Sequence, residues 1–474
     1  MSNWSEAIMR AGVVCIVIGI TAVASGTPSV RFVARWGGTT KDLGQTIVLD
    51  DDNGLFVSGS TYSPDFPTTT TGIPNGNWCA FTTKLRAPSG AGLYSTVLCG
   101  KGMTWGWAAA LAPAGELWIA GSSDGPGLPV TAGAVQRQFG GYAIPSGSGD
   151  AFVAKWSADG RTVRYATYLG GRGDDSAVAL LADQDGGVWL AGNTTSANFP
   201  VSVDAVQSRQ AGGGDAFLAH LDGRGRLVFS TYLGGSGNDE ITALARLDRD
   251  RIVVAGNTSS PDGAFGGPAR GRTDAFVGVF DAFTRTIGWW RRLGGAGDDH
   301  VRSVAVLHDR TVVAVGDSES EGCHRASRRH AAWVVALSES GDVKADYCLD
   351  GVHFGDARGV AAAADGTVWV TGVALSKRIV AGPGNQRPGP YDQAFVARLD
   401  PLRGAARSVT LLSAEISRGS AVSVDRDGVV YATGETTAPP RTLNQSLGLL
   451  QPTDGAFREG QRLGSTDAYV VALR

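Results

Sequence analysis

TYLGGRGDD at residues 167–175 and TYLGGSGND at residues 231–239 are two copies of one phrase, and that phrase decides the fold. Degraded copies occur at residues 35–38 (RWGG), 96–100 (TVLCG), 292–295 (RLGG), 347–351 (YCLDG) and 410–414 (TLLSA). Each copy lies about 60 residues from the next, a period typical of repeat architectures. The chain is therefore predicted to consist of similar units arranged in series.

The copy between residues 176 and 235 shows what one unit contains. Strand-like runs occupy residues 177–183, 188–192, 215–221 and 227–233, and turn residues rich in glycine separate them. Four antiparallel strands per unit, repeated along a chain, are typical of propeller blades. Both the first-strand and the third-strand phrases occur seven times. The sequence therefore predicts an all-β fold, a seven-bladed β-propeller with four strands in each blade.

The two ends of the chain predict how the ring closes. Residues 30–38 (VRFVARWGG) read as a fourth strand, whereas residues 467–473 read as a third strand and are followed by one residue only. The last blade thus has three strands from the C-terminus, and the N-terminal strand is predicted to complete it. Such a shared blade removes free sheet edges, which otherwise invite aggregation.

Several phrases resemble the SBBP repeat, the seven-bladed β-propeller repeat of secreted bacterial proteins. They are TYLGG at residues 167–171, GDDSAVALLADQDGGVWLAGNT at 173–194, SANFPVS at 196–202 and DAFVAKW at 150–156. The resemblance extends over nearly the whole chain after residue 26. It implies an extracytoplasmic location and a binding or scaffold role, and it implies no particular activity.

The first 26 residues differ from the repeats. An apolar run at residues 11–24 precedes a cluster of small residues, which predicts a cleaved export signal, with an uncleaved anchor as the alternative. A run of about 14 residues is short for a bilayer, so no membrane span is predicted in the mature chain. Residues 27–474 are predicted to form a single propeller domain. A net charge of −3 with 18% charged residues indicates no nucleic-acid partner.

Four cysteines follow the predicted signal: Cys79, Cys99, Cys323 and Cys348. A hairpin centred near Ser89 would place Cys79 opposite Cys99, and Cys323 and Cys348 would then pair by elimination. Free buried thiols are the alternative, and they are less common after export. The sequence thus predicts two disulfides and an oxidising compartment.

The loops between second and third strands are long, whereas the turns at the opposite ends of the blades are minimal. Long loops on a rigid scaffold are where recognition is usually built. We therefore expect a protein or glycan ligand on the face formed by the long loops, which we call the long-loop face.

An acid recurs where the TYLGG loop enters the next unit, at Asp42, Asp175, Asp239, Asp299 and Asp356, with Thr104 and Arg418 at the other two places. These acids are expected to ring one mouth of the central channel. A carboxylate ring can hold a cation such as calcium. The favoured interpretation is structural, because such turn acids usually bond backbone groups. No cofactor is otherwise predicted.

Catalytic and metal-binding signatures were sought in the same way. The chain has no His-Glu-x-x-His motif and no phosphate loop, and no second cysteine stands at zinc spacing near Cys323, His324 and His330. We expect no catalytic residue and no metal site, and favour a non-catalytic binding module. The alternative is a hydrolase or lyase acting on a carbohydrate or lactone through acids at the channel mouth, near Asp299 and His300. Trp118, Trp189 and Trp369 recur in second strands, which indicates packing between blades.

Overall fold

Seven four-stranded antiparallel sheets surround one axis in the structure, which is a computed structural model. It describes residues 29–52, 54–69, 76–87, 89–141, 149–262, 264–321, 323, 330–349, 354–374, 392–412, 416–437 and 466–474. The predicted export signal, residues 1–26, lies outside the described residues. The predicted all-β, seven-bladed β-propeller is confirmed.

The blades are numbered I to VII in the order of their innermost strands. Blade I contains β2 (Asp42–Leu49), β3 (Gly54–Thr61), β4 (Cys79–Arg86) and β5 (Ala91–Leu98). Blade II contains β6 (Thr104–Leu111), β7 (Leu117–Ser123), β8 (Asp150–Trp156) and β9 (Val163–Leu169), with a 3₁₀ turn at Pro113–Gly115. Blade III contains β10 (Asp175–Ala182), β11 (Val188–Thr194), β12 (Asp215–Leu221) and β13 (Leu227–Leu233).

The remaining blades repeat the same order. Blade IV contains β14 (Asp239–Arg246), β15 (Arg251–Thr258), β16 (Asp274–Asp281) and β17 (Thr286–Leu293). Blade V contains β18 (Asp299–Val306), β19 (Val312–Ser318), β20 (Ala331–Leu337) and β21 (Val343–Cys348). Blade VI contains β22 (Phe354–Ala362), β23 (Val368–Ala374), β24 (Gln393–Asp400) and β25 (Ala405–Leu411). Blade VII contains β26 (Ser417–Val424), β27 (Val430–Thr436), β28 (Asp467–Leu473) and β1 (Val30–Trp36).

Each innermost strand has a β-bulge near its start, and a glycine of the second strand faces it. In blade III the bulge falls between Ala177 and Ala179, where Ala177 pairs with Gly192. A Cβ atom on Gly192 would lie 1.8 Å from the carbonyl oxygen of Ser176. The bulge therefore requires glycine at this position, which explains the glycine in the repeated phrase VWLAG.

The hydrophobic core is divided into seven clusters, and each cluster lies between two consecutive blades. Trp118 belongs to the cluster between blades II and III, and its indole N–H donates to the carbonyl of Gly186 in blade III at 3.2 Å. Trp189 packs between blades III and IV, and Trp369 between blades VI and VII. The predicted role of these three residues in blade-to-blade packing is confirmed.

The N-terminal strand closes the ring as predicted. Strand β1 pairs with β28 along its length, with Val33 opposite Val471 and Trp36 opposite Ala468. Arg35 of β1 donates to Asp467 of β28 at 2.7 Å, and the two side chains are only 4% and 1% exposed. The closure thus depends on a buried ion pair as well as on backbone hydrogen bonds.

Replacing Arg35 tests the closure. Arg35→Ala leaves the buried Asp467 carboxylate without its cationic partner, and breaking such a pair costs about 3–5 kcal/mol. We expect urea denaturation to show a loss of unfolding free energy in that range. Arg31→Ala, on the exposed side of the same strand, should change the unfolding free energy by less than about 0.5 kcal/mol. Equal effects of the two substitutions would contradict a role for the ion pair.

Candidate functional site

The long-loop face is the end of the ring where the innermost strands begin and the second strands end. The connection from β7 to β8 there runs from Ser123 to Asp150, and that from β11 to β12 runs from Thr194 to Asp215. Turns on the opposite face are short, such as residues 183–187 in blade III. The mouth of the ring on the long-loop face is therefore the candidate site.

Four of the five predicted aspartates begin an innermost strand and have the same surroundings: Asp42, Asp175, Asp239 and Asp299. All four are buried. Asp175 accepts from the backbone N–H of Gly171 at 2.8 Å, from the Ser196 hydroxyl at 2.8 Å and from the Thr194 hydroxyl. The other three carboxylates accept the equivalent bonds in their own blades. These bonds favour the structural interpretation of the ring, and calcium binding stays a prediction.

Asp356 does not belong to this series, which corrects the sequence alignment. The bulge shared by all innermost strands falls between Ala357 and Gly359 in β22, which makes Asp356 equivalent to Ser176 and not to Asp175. A second register shift, between Phe354 and Asp356, occurs in β22. In blade VII the bulge between Gly419 and Ala421 likewise places Ser417, and not Arg418, at the equivalent position. The pleat turns adjacent side chains to opposite sides of a strand. Asp356 therefore bonds Arg358 at 2.8 Å instead of a Thr–Ser pair.

A second recurrent acid begins the third strand, at Asp150, Asp215, Asp274 and Asp467. Asp150 accepts from the side chain of Gln136 and from the N–H of Gly140, both at 2.7 Å, and so fixes its long loop. Gly170 of the TYLGG phrase lies between this acid and Asp175 of the next blade. A Cβ atom on Gly170 would be 2.8 Å from Asp150 Oδ1 and 2.5 Å from Asp175 Oδ2. The two recurrent acids thus flank the turn that joins consecutive blades.

The mouth itself is lined by the second residue of each innermost strand and by its partner on the second strand. In blades IV, V and VII these pairs are polar and always 17 residues apart: Asn257 with Glu240 at 2.8 Å, His300 with Asp317 at 3.2 Å, and Arg418 with Glu435 at 3.0 Å. Sequence reasoning missed these pairs. The constant spacing of 17 is the signal by which they could have been found.

Blades I and II present aromatic rings at the mouth instead of charges. Tyr62, Trp78, Trp105 and Trp107 form a continuous series, which we call the aromatic arc. The ring centroids are 5.5 Å apart for Tyr62–Trp78, 4.2 Å for Trp78–Trp105 and 5.8 Å for Trp105–Trp107, and the last two contacts are stacked. The three tryptophans are half-buried and Tyr62 is 37% exposed.

The Cys79–Cys99 disulfide lies directly below the aromatic arc. Cys79 follows Trp78, and the carbonyl of Trp78 accepts from the N–H of Thr104 at 2.8 Å. The second predicted disulfide, Cys323–Cys348, is also present. Both predicted pairings are confirmed, and the first of them anchors the edge of blade I that carries Trp78.

In blade V a cluster forms around Asp317. His300 and Arg302 approach it from β18, with Arg302 Nε at 2.8 Å, and His330 approaches it from the start of the third strand at 3.0 Å. The positive partners lower the pKa of Asp317 despite its burial, and the hydrogen bond to Asp317 raises the pKa of His300. Asp298, which directly precedes β18, pairs with Arg272.

Residues 121–125 have the Gly-x-Ser-x-Gly spacing of a nucleophile elbow, but their surroundings differ from those of an elbow. Ser123 ends strand β7, is fully buried, and donates its hydroxyl to the carbonyl of Gly125 at 3.1 Å. An elbow requires an exposed serine between a strand and a helix. Ser123 is therefore a structural residue.

A cleft of about 610 Å³ lies on the opposite face, between blades VI and VII. Its lining includes Arg398, Arg407, Arg426 and Arg474. Arg398 pairs with Asp365, and Arg426 pairs with Asp51 of blade I. Because acids already neutralise these two arginines, the cleft is less suited to an anion than its arginine content alone indicates.

Comparisons with known proteins agree with the fold. The family model for SBBP, described as a β-propeller repeat, matches residues 164–200, which confirms the resemblance to this repeat. No curated protein matches the chain. None of the residues described in the structure forms a helix with the length and hydrophobicity that a membrane crossing requires.

Solved structures resemble the chain at low sequence identity. Hydrazine synthase of Kuenenia stuttgartiensis is 13% identical with a TM-score of 0.48, over 83% of this chain and 94% of that one. The Cps50 (Swd1) β-propeller domain of Myceliophteria thermophila is 8% identical with a TM-score of 0.46, over the same shares of the two chains. A puromycin hydrolase mutant is 13% identical with a TM-score of 0.43, over 88% of this chain and 51% of that one.

Gly170→Ala tests the steric requirement of the turn between blades. A methyl group there would collide with the carboxylates of Asp150 and Asp175, and overpacking of this kind costs about 1–3 kcal/mol. We expect chemical denaturation to show this loss of unfolding free energy. Gly133→Ala is the control, because a Cβ atom at Gly133 meets nothing within 4 Å. If Gly170→Ala left the unfolding free energy unchanged, the carboxylates of Asp150 and Asp175 would be able to move apart at little cost in free energy.

The same acids predict a pH dependence. Burial raises the pKa of Asp175 to about 7, with repulsion from Asp150 adding to the rise, and burial raises the pKa of Asp150 to about 6. Both values exceed the unfolded value of 3.8. As the pH falls, the folded state therefore binds protons at a higher pH than the unfolded state does. The unfolding free energy should increase as the pH falls from about 8 to about 5.

Denaturation at several pH values measures this effect. Asp150→Asn removes one carboxylate of the pair, so the increase between about pH 8 and about pH 5 should become smaller than in the unsubstituted chain. An unchanged slope in Asp150→Asn would show that other groups cause the pH dependence.

Proposed function

We propose that this SBBP-repeat propeller is an exported, non-catalytic binding module that takes a glycan at the aromatic arc on its long-loop face. The observation that carries the proposal is the stacking of Tyr62, Trp78, Trp105 and Trp107 at the mouth of the ring. Buried tryptophans elsewhere pack between blades. The rings of the arc instead keep exposed surface and have no repeat-wide packing role.

The chemistry of the arc favours a sugar over other ligands. Aromatic faces carry partial negative charge and attract the C–H faces of sugar rings, while indole N–H and phenol groups bond hydroxyls. Polar residues complete the mouth, with Glu240 and Asn257 in blade IV and Arg418 with Glu435 in blade VII. A protein ligand is the alternative, since tryptophan and tyrosine also dominate protein interfaces.

Export is part of the proposal. Two disulfides and the SBBP match both support an extracytoplasmic location. The apolar run at residues 11–24 supports an export signal, although it lies outside the described residues.

The enzymatic alternative, a hydrolase or lyase for a carbohydrate or lactone, receives less support. Such an enzyme needs an acid that can exchange a proton with a substrate. Asp299 is fully buried and accepts hydrogen bonds from Ser318, Ser320 and Gly295. We therefore place binding first.

Binding to immobilised cell-envelope polysaccharide tests the proposal. Trp105→Ala removes the central ring of the arc, and a stacked ring contributes about 1–3 kcal/mol to binding, so affinity should fall by about fivefold to about a hundredfold. Tyr62→Ala, at the exposed edge, should weaken binding with little effect on thermal unfolding. Phe283→Ala is the control, because Phe283 is 83% exposed in a turn of the opposite face.

Two results would count against a glycan ligand. One is the absence of binding to envelope polysaccharide by the unsubstituted chain. The other is glycan binding that Trp105→Ala and Phe283→Ala reduce equally. Loss of a captured envelope protein in Trp105→Ala alone would instead support the protein alternative.

A further inference from the structure

We propose that His300, Asp317 and His330 of blade V form a binding site for a divalent transition metal, with zinc the ion that fits best. The proposal does not depend on the glycan function, because the three residues lie in blade V and the aromatic arc lies in blades I and II.

The distances between the ligand atoms favour a zinc site. His300 Nδ1 and His330 Nδ1 lie 3.2 Å and 3.0 Å from Asp317 Oδ2, and one ligand atom from each residue falls within 4.8 Å of the others. Zinc binds imidazole nitrogen and carboxylate oxygen at about 2.0–2.2 Å, which places tetrahedral ligands about 3.3 Å apart. Two of the three separations match this distance, and the ligand atoms of the two imidazoles lie within 4.8 Å of each other.

Two carboxylates face the imidazole of His330, one at each ring nitrogen. His330 Nδ1 faces Asp317, and its Nε2 faces Glu319 Oε1 at 3.1 Å. An imidazolium would donate to both carboxylates, whereas a neutral imidazole has one N–H only and keeps a lone pair on its other nitrogen. A metal ion at Nδ1 fits the neutral form, because Nε2–H then donates to Glu319.

Arg302 and Glu319, which contact the three ligand residues, also favour a metal ion. Arg302 donates to Asp317 Oδ1 at 2.8 Å, which leaves Oδ2 directed towards both histidines. Glu319 orients His330 in the carboxylate–histidine–metal arrangement common at zinc sites. Among the described residues that contact the cluster, Asp317 and Glu319 carry two negative charges against the one positive charge of Arg302, and the remaining negative charge partly offsets that of a dication.

The fold holds these ligands in place from three strands. His300 and Asp317 are paired across β18 and β19, and His330 directly precedes β20. Asp317 is 2% exposed, whereas the side chains of His300 and His330 are 26% and 48% exposed. Three protein ligands with solvent on one side leave the fourth position open, as in zinc sites that bind a further ligand.

Isothermal titration of the full, metal-free chain with zinc chloride tests the site, using protein purified without a histidine tag. We expect one zinc ion per chain. His300→Ala and His330→Ala should each weaken the affinity by at least tenfold, and Glu319→Gln by about tenfold, in line with losses at outer-shell residues. His308→Ala is the matched control, since His308 is exposed in the same blade between β18 and β19.

Thermal unfolding of every variant without zinc separates loss of the site from loss of the fold. The visible spectrum of bound cobalt should report four-coordinate geometry, and this signal should disappear in His330→Ala, whose half-exposed side chain is not needed for folding. The proposal is overturned if zinc does not bind, if binding survives both histidine substitutions, or if calcium displaces zinc, because calcium requires oxygen ligands.

Discussion

Three junctions between blades depend on a glycine that passes between two buried carboxylates, at Gly37, Gly170 and Gly234. At Gly37, a Cβ atom would lie 2.6 Å from Asp42 of blade I and 2.8 Å from Asp467 of blade VII. One acid fixes the long loop of the blade that the chain leaves, and the other fixes the innermost strand of the blade that it enters. The turn can take this path only without a side chain. The phrase TYLGG followed by an aspartate is therefore the sequence of the turn that joins two blades, which we call the joint. The ring contains a series of such joints.

The degraded copies show which part of the joint can be replaced. In blade II the aspartate is Thr104, and its hydroxyl accepts from the N–H of Gly100 at 3.0 Å, as the carboxylate does elsewhere. In blade VII the equivalent residue is Ser417, and its hydroxyl accepts from the N–H of Ala394 in blade VI at 2.9 Å. In these two blades an acceptor for a backbone donor persists without the charge. This explains why the acids are better understood as parts of the scaffold than as ligands for a cation.

The sequence was sufficient for the parts of the structure that local rules determine. The strands, the number of blades, the closure by residues 30–38 and both disulfides followed from period, alternation and turn residues. The error at Asp356 arose because β22 has an additional register shift, between Phe354 and Asp356, which the sequence does not mark. The pairs at the mouth were missed for another reason. Glu240, His300 and Arg418 occupy one structural position but share no residue type, so a search for repeated residues passes over them.

This difference follows from the pleat of the strand. The first residue of an innermost strand points into the joint and is constrained in nearly every blade, whereas the second residue points the other way and is free to vary. Each blade can therefore present different chemistry at the mouth without weakening the ring. Blades I and II present aromatic rings, and blade V presents imidazoles around a carboxylate. In a ring of seven, blades II and V lie on opposite sides of the axis. A ligand that contacts both the arc and the His300–Asp317–His330 cluster must therefore extend across the mouth, which a chain of sugar units can do and a single sugar cannot.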